Sequence, residues 1–312
     1  MRDKNTGIKV FVPCAIAGFG SGKGSISVAS SLPGDEITGR FYDGKGVTAH
    51  AITGFKKGLS LDVSQNSAVL AGDLLCNFLK ADEGIQLDIH NKIPIGFGLS
   101  SCAASAVGGA FAVNELLGRP LERYDLVSFA IEATRKFIPG TDDSQVLSII
   151  FGGAILSRNS ESESFQKLYL PRGLFLNVFY PQNIAYKAPE FTSWITTFSA
   201  QTLFNYTNQM CGFISSMYTS NLNLMKDCFF KNELDTSLGK NIPGYLDALA
   251  AIEKTGVIGM GVAGLGPAFY VLSPNSLIAE ECNELVRTCF IPHKTELQSF
   301  QTTIDMNGVR LC

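Results

Sequence analysis

The chain has 312 residues, 46% of them hydrophobic and 17% charged, enough apolar material for one large or two ordinary globular domains with sizeable cores. Lysine and arginine (25) nearly balance aspartate and glutamate (28) to a net charge of -3, which supplies no basic surface for nucleic acid or an anionic membrane. Scattered cysteines without a Cys-x-x-Cys pair, together with only 3 histidines, argue against a disulfide framework and against zinc. Neither Met1–Asn5 nor any later apolar run has the length of a signal or membrane-spanning segment, so the expectation is a cytoplasmic protein with reduced thiols.

Ile8, Val10 and Val12 alternate with other residues and predict a strand ending at Pro13. It leads to a glycine-dense turn, Ala17-Gly18-Phe19-Gly20-Ser21-Gly22-Lys23-Gly24-Ser25, which by itself is either a second phosphate cradle or a plain connection. Asn66 opens an apolar-faced segment through Val69, Leu70, Leu74, Leu75, Phe78 and Leu79, the pattern of a helix with Asn as its cap. Ile85, Leu87 and Ile89 predict a half-buried strand running into Ile93-Pro94-Ile95-Gly96-Phe97-Gly98-Leu99-Ser100-Ser101-Cys102-Ala103-Ala104-Ser105. Gly96 and Gly98 let backbone N–H groups face an anion closely, and the small residues that follow open a helix whose positive end points the same way. Phosphate binding is the functional reading and a tight strand-to-helix connection the plain one. The loop lacks the Gly-Lys-Ser/Thr end of a Walker loop and the spacing of a dinucleotide fingerprint.

A helix from Ala103 through Leu117 ends at Gly118-Arg119-Pro120, with Gly108 and Gly109 marking close packing against a neighbour. The next helix spans about Leu121 to Lys136 and carries Glu132 on an otherwise apolar stretch. Pro139-Gly140-Thr141-Asp142-Asp143 is an acidic turn, either solvated or supplying a base or metal ligands. Ser148 to Leu156 reads as a buried strand, and the serine-rich Ser157–Ser164 as an exposed loop and domain boundary. Leu174 to Tyr180 predicts a strand ending at Pro181. A glycine-rich turn at 256–268 precedes the strand Phe269 to Leu272.

Pro94–Ala104 resembles the Pro-x-x-x-Gly-Leu-Gly-Ser-Ser-Ala loop of the GHMP small-molecule kinases, with Ser100 where Gly is usual and Cys102 where the second Ser stands. Val10–Ile37, closing on Pro33-Gly34-Asp35-Glu36-Ile37, is similar to the first motif of the homoserine kinase branch. Gly256–Phe269 resembles the third GHMP motif, and Ile304–Arg310 the final strand of homoserine kinases. The resemblance covers nearly the whole chain and implies an α+β, two-domain GHMP kinase fold. A ribosomal protein S5 domain 2-like domain over 1–160 would hold the phosphate loop, a ferredoxin-like domain would span 161–312, and the site would lie between them.

It further implies ATP and Mg2+ as cofactors: Pro94 to Ala104 around the phosphates, Asn66 at the adenine, and Ser101 and Glu132 on the metal. The γ-phosphoryl group would pass to the hydroxyl of a small molecule, first choice homoserine, giving O-phosphohomoserine for threonine biosynthesis. The family's His-x-Asp-Asn box falls on Asp142, Ser144 and Gln145, with Asp143 between. Gln145 can hydrogen-bond a hydroxyl without taking its proton, which leaves Asp142 and Asp143 as the nearest candidates for a base or further metal ligand. At the acceptor the chain departs from the pattern. The family's Asn and ammonium-binding Asp fall on Gly18 and Gly24, one substrate-carboxylate Arg on Phe191 and another on Lys240. Lys23 would repel a cation, and Gly264 would lie against the substrate. Two alternatives follow: a kinase of the same family for a different, less cationic alcohol, and a catalytically silent paralogue that binds nucleotide or another protein. A homodimer is the assembly the resemblance suggests.

Overall fold

The computed structural model describes residues 7–55, 65–158 and 165–312, so Met1–Asn5 and most of the Ser157–Ser164 loop lie outside the described residues. The β-branched alternation at the start forms an antiparallel pair, β1 (Ile8–Ala17) and β2 (Ile26–Tyr42). β1 does not stop at Pro13. A register shift between Pro13 and Cys14 absorbs the residue that cannot donate, and pairing resumes through Ala17. β3 (Gly46–Gly54) and β4 (Gly84–Asn91) are parallel, joined by a crossover that contains α1 (Ser67–Leu79). β5 (Ala154–Ser157) pairs with the first residues of β2 and with β6 (Phe165–Leu168). The terminal strand β11 (Arg310–Leu311) returns to β1, giving the order β11-β1-β2-β4-β3.

Helix α2 (Ser101–Leu116) is buried along most of its length. Its two central glycines explain how: a Cβ at Gly109 would lie 2.0 Å from the Ala68 carbonyl of α1, and one at Gly108 would lie 2.5 Å from Ile37 of β2. α3 (Leu126–Phe137) begins later than the pattern suggests. The Asn114 side chain bonds both the N–H and the carbonyl of Leu121 and holds that stretch as a turn. A second difference is larger. The expected strand Ser148–Leu156 begins as helix, the end of α4 (Ser144–Phe151), and is strand only from Ala154, in β5. A short apolar run fits either state; here Gly152 and Gly153, both at positive φ, end the helix and turn the chain into the strand.

The second sheet is antiparallel. Its strands are β7 (Phe175–Gln182), β8 (Gly259–Val262), β9 (Phe269–Ser273) and β10 (Glu296–Thr303), in the order β10-β7-β9-β8. Between β7 and β8 run α5 (Phe191–Ile195), α6 (Ala200–Thr219), α7 (Leu222–Phe230), α8 (Glu233–Gly239) and α9 (Tyr245–Ile252); α10 (Ser276–Phe290) joins β9 to β10. This is the ferredoxin-like strand order expected from the sequence. Pro181 sits inside β7, beyond the point where β9 stops pairing, so its missing N–H breaks no ladder there. The core of the first sheet continues into α6 and α7 through Phe19, whose ring stacks on Tyr270 at 5.3 Å and meets Phe213 and Phe229 edge-on. Burial of each such ring stabilises the contact by about 1.5–3 kcal/mol. Among the described residues no helix is long and apolar enough to cross a membrane.

Candidate active site

Three glycine-bearing segments distant in sequence meet at one place. The Gly264 N–H donates to the Ala17 carbonyl at 2.9 Å, and the Ala268 N–H to the Phe97 carbonyl at 2.9 Å. Gly98, at φ +85°, lies so close to the third segment that a Cβ would stand 2.2 Å from the Ala263 carbonyl oxygen. One at Gly264 would stand 3.1 Å from the Gly98 carbonyl.

The loop before α2 is open where it faces solvent. Gly96 and its neighbours are half-buried or exposed, and a Cβ on Gly96 would meet nothing within 4 Å. Among the described residues, the backbone N–H groups from Gly98 to Ala103 donate to no protein acceptor. They lead into a 16-residue helix with no acidic residue in its first turn and no side-chain cap. At the base of the loop, buried Asp35 accepts the N–H groups of Lys92 (2.8 Å) and Ile93 (2.9 Å), which fixes the chain just before Pro94. Burial pushes the Asp35 carboxyl up to about 7 against those two bonds.

Asn66 is 2% exposed and caps α1, its side-chain oxygen accepting from Ala68 (3.0 Å) and Val69 (3.3 Å). The next residue, Ser67, donates to the Cys102 carbonyl at 3.0 Å, so the start of α1 is tied to the start of α2. Gln145, on the first turn of α4, accepts from the Ser100 hydroxyl at 2.7 Å. The fold thus brings Asn66, Gln145, Gly264 and the loop Pro94–Ala104 together.

Of the other expected site residues, Asp142 and Asp143 have partners of their own, and Glu132 and Lys240 are exposed. Asp142 accepts the Ser144 N–H (2.9 Å) and hydroxyl (2.7 Å), the geometry of a helix-start cap. Its carboxyl is raised above the usual range by burial and by the charge of Asp143, against the Ser144 bonds. Asp143 accepts from Arg135 at 2.7 Å with one oxygen, while the other, Oδ2, is buried without a partner. Burial raises its carboxyl too, and Arg135 opposes the rise. Glu132 stands on the exposed face of α3 with no hydrogen bond or ion pair among the described residues. Lys240 is exposed at the end of α8.

Lys23 corrects the sequence reading most sharply. It is buried and not free to bind an anion: its ammonium pairs with Asp235 at 2.9 Å, each side chain 3% exposed. Its aliphatic stem covers Gly18, where a Cβ would lie 2.5 Å from Lys23 Cδ, and the Phe191 ring stands 3.2 Å from the Cβ position of Gly24. Nor is 17–25 a second phosphate cradle. The N–H groups of Gly18 and Phe19 go to the Ile26 carbonyl, that of Gly20 to the Tyr270 hydroxyl (2.7 Å), and that of Lys23 to the Tyr206 hydroxyl.

Sequence reasoning missed Asp35, Tyr186, Tyr206 and Asp235. Tyr186 donates to the Leu265 carbonyl, and burial pushes its hydroxyl up to about 12, which keeps it a donor. Asp35 had a local signal in Pro33-Gly34-Asp35; the others form their contacts only once distant elements have packed.

Comparison with known proteins follows the same lines. Residues 66–153 match the family model of the GHMP kinases N terminal domain. The crystal structure of homoserine kinase from Cytophaga hutchinsonii superposes with a TM-score of 0.91 at 24% identity, covering 100% of this chain and 99% of that one. The chain has the GHMP kinase fold. The Lactococcus lactis galactokinase complexed with galactose shares this GHMP kinase architecture with a TM-score of 0.74 at 16% identity, over 99% of this chain and 96% of that one. In sequence, the homoserine kinase of Chlorobium phaeobacteroides (strain BS1) is 24% identical over 299 residues, 93% of each chain. In both comparisons the similarity to homoserine kinases extends over most of the chain.

Proposed function

We propose that the protein is an ATP-dependent kinase that phosphorylates the hydroxyl of a small molecule, in the manner of a homoserine kinase. The observation that carries this reading is the run of N–H groups from Gly98 to Ala103, without a protein acceptor among the described residues, at the open, positive end of α2. A polyphosphate supplies the acceptors those groups lack, and the loop needs no lysine to hold it. Asn66, tied to the same helix start through Ser67, places the adenine end.

Mg2+ is usually held by one or two carboxylates together with the substrate phosphates, and the oxygen donors this chain offers suit that mode. Ser101, at the first turn of α2, and Glu132 would hold the ion, and the orphaned Oδ2 of Asp143 is a further oxygen of the right kind. Bound there, Mg2+ neutralises phosphate charge during transfer. Gln145 uses its oxygen on Ser100, which leaves its amide N–H2 to orient the acceptor hydroxyl or a γ-phosphate oxygen. No strong base is required, because alignment alone accounts for roughly 7–11 kcal/mol of barrier reduction at best.

Homoserine is the first acceptor to assay. A second reading, an alcohol of similar size but different charge, is favoured by the Phe191 ring over Gly24 and by the pairing of Lys23. The test is ADP release in a coupled assay with a panel of small alcohols, wild type beside Glu132→Gln across a magnesium titration. Turnover with at least one alcohol and a rightward magnesium curve for the variant are expected. Coincident curves would remove Glu132 from the mechanism, and ADP release with no alcohol would remove the kinase.

A further inference from the structure

Among the described residues, Lys23 and Asp235 form the only ion pair with both side chains buried. The Lys23 ammonium has three acceptors for its three N–H bonds: Asp235 Oδ1 at 2.9 Å, the Gly264 carbonyl at 3.0 Å and the Val262 carbonyl. Asp235 is itself held in place. The Val262 N–H reaches its Oδ1 at 3.1 Å and the Asn232 amide its Oδ2 at 2.7 Å. A carboxylate fixed in this way, flanked by two inward carbonyls, is a built site for a primary ammonium ion.

Its position gives it meaning. Gly264, whose carbonyl bonds the ammonium, packs against Gly98, so the cation site adjoins the loop proposed to hold the phosphates. The chain fills the site with its own side chain. The neighbouring wall offers no replacement carboxylate: Gly18 is covered by the Lys23 stem and Gly24 by Phe191.

We propose that Lys23 is a tethered ammonium that occupies the cation position of the acceptor cleft, so that the protein's acceptor is an alcohol carrying no ammonium group. The proposal rests on the kinase reading of the same cleft and sharpens its substrate class. A cationic acceptor would either face Lys23 across a region of low dielectric or displace it and leave a buried charge unpaired, and both are unfavourable.

Two measurements test it. In the wild type, 4-hydroxybutyrate, which is homoserine without the ammonium, is expected to exceed homoserine in kcat/KM by at least about tenfold, the scale of a like-charge juxtaposition. An equal or inverted preference overturns the proposal and leaves the kinase reading standing; loss of ATP binding strikes the kinase reading instead. The second measurement needs no activity. Lys23→Ala removes the tethered cation, and n-propylammonium chloride is expected to raise the melting temperature of that variant by a few degrees, whereas 1-propanol is not. The rise is expected to vanish when Asp235→Asn is added. The same response to amine and alcohol, or no response to either, shows that the site does not select a cation and overturns the proposal. The wild-type comparison decides the matter if Lys23→Ala does not fold.

Discussion

Two glycine-rich turns lie side by side in this protein and do opposite things. In the turn at 17–25, almost every residue is buried and most amides have acceptors, the Phe19, Gly22 and Ile26 carbonyls or tyrosine hydroxyls from the C-terminal half. In the loop at 94–103, most residues are half-buried or exposed, with Pro94, Leu99 and Ala103 buried, and among the described residues the amides from Gly98 to Ala103 have no protein acceptor. Both turns carry glycines at positive φ; the difference lies in whether the backbone donors are satisfied from within. One turn is a structural joint between the two sheets, and the other has the unmet hydrogen-bonding capacity of a ligand site.

The largest effect should come from Gly98→Ala. A Cβ there collides with backbone, the Ala263 carbonyl at 2.2 Å, at a φ of +85° that alanine resists. Turnover is expected to fall by roughly 100-fold or more, the scale of losing aimed backbone donors, with ATP affinity falling alongside it. Steady-state kinetics and titration calorimetry check both. Unchanged kinetics would mean that the loop does not hold the phosphates.

The buried turn should fail in the opposite way. Gly20→Ala drives a methyl to 2.3 Å from the Phe213 ring, which is itself packed among Phe19 and Phe229. Stability is expected to drop by about 2–4 kcal/mol, read by chemical denaturation, while the folded fraction binds ATP as before. A loss of nucleotide affinity without a loss of stability would erase the contrast between the two turns.

Asp35 joins the open loop to β2 and makes the contrast depend on pH. Its carboxyl, pushed up to about 7, holds a proton in the folded chain where the unfolded chain has already lost it. The contribution to stability is therefore greatest below the unfolded value and declines as pH rises through about 7. Asp35→Asn cannot ionise, so its stability relative to wild type should rise between about pH 5 and pH 8, by on the order of 2–4 kcal/mol in full. Parallel melting curves across that range would show that Asp35 does not titrate there.

The smallest effect is that of Gln145→Ala. Removing the partner of Ser100 should lower kcat by about tenfold with little change in the KM for ATP, as expected of a group that orients rather than exchanges protons. A change confined to the KM for ATP would assign Gln145 to nucleotide binding.

Much of the architecture was legible in the residues. Alternation at Ile8–Val12 and Ile85–Ile89 marked two strands of the first sheet, and Asn66 marked the start of a helix that it does cap. The glycines at 96 and 98 marked the open loop because local backbone freedom is a local property. The run 148–156 was misread because a short apolar stretch has no period of its own; its helix is decided by packing and by the two glycines after it. Lys23 was misread for a different reason. In the sequence it reads as an unpaired charge, but α8 delivers Asp235 and β8 delivers the Val262 carbonyl, and nothing near residue 23 in the chain announces either. Glu132 and Lys240 were marked by motif position alone, and the fold places both at the exposed surface.

The direct test of the central claim is titration of the intact protein with ATP in the presence of magnesium, followed by calorimetry, beside Gly98→Ala and Gly20→Ala. Saturable binding at one site that is lost in the first variant and kept in the folded second is the predicted result. No heat of binding in the wild type, or equal affinity in all three proteins, would contradict it.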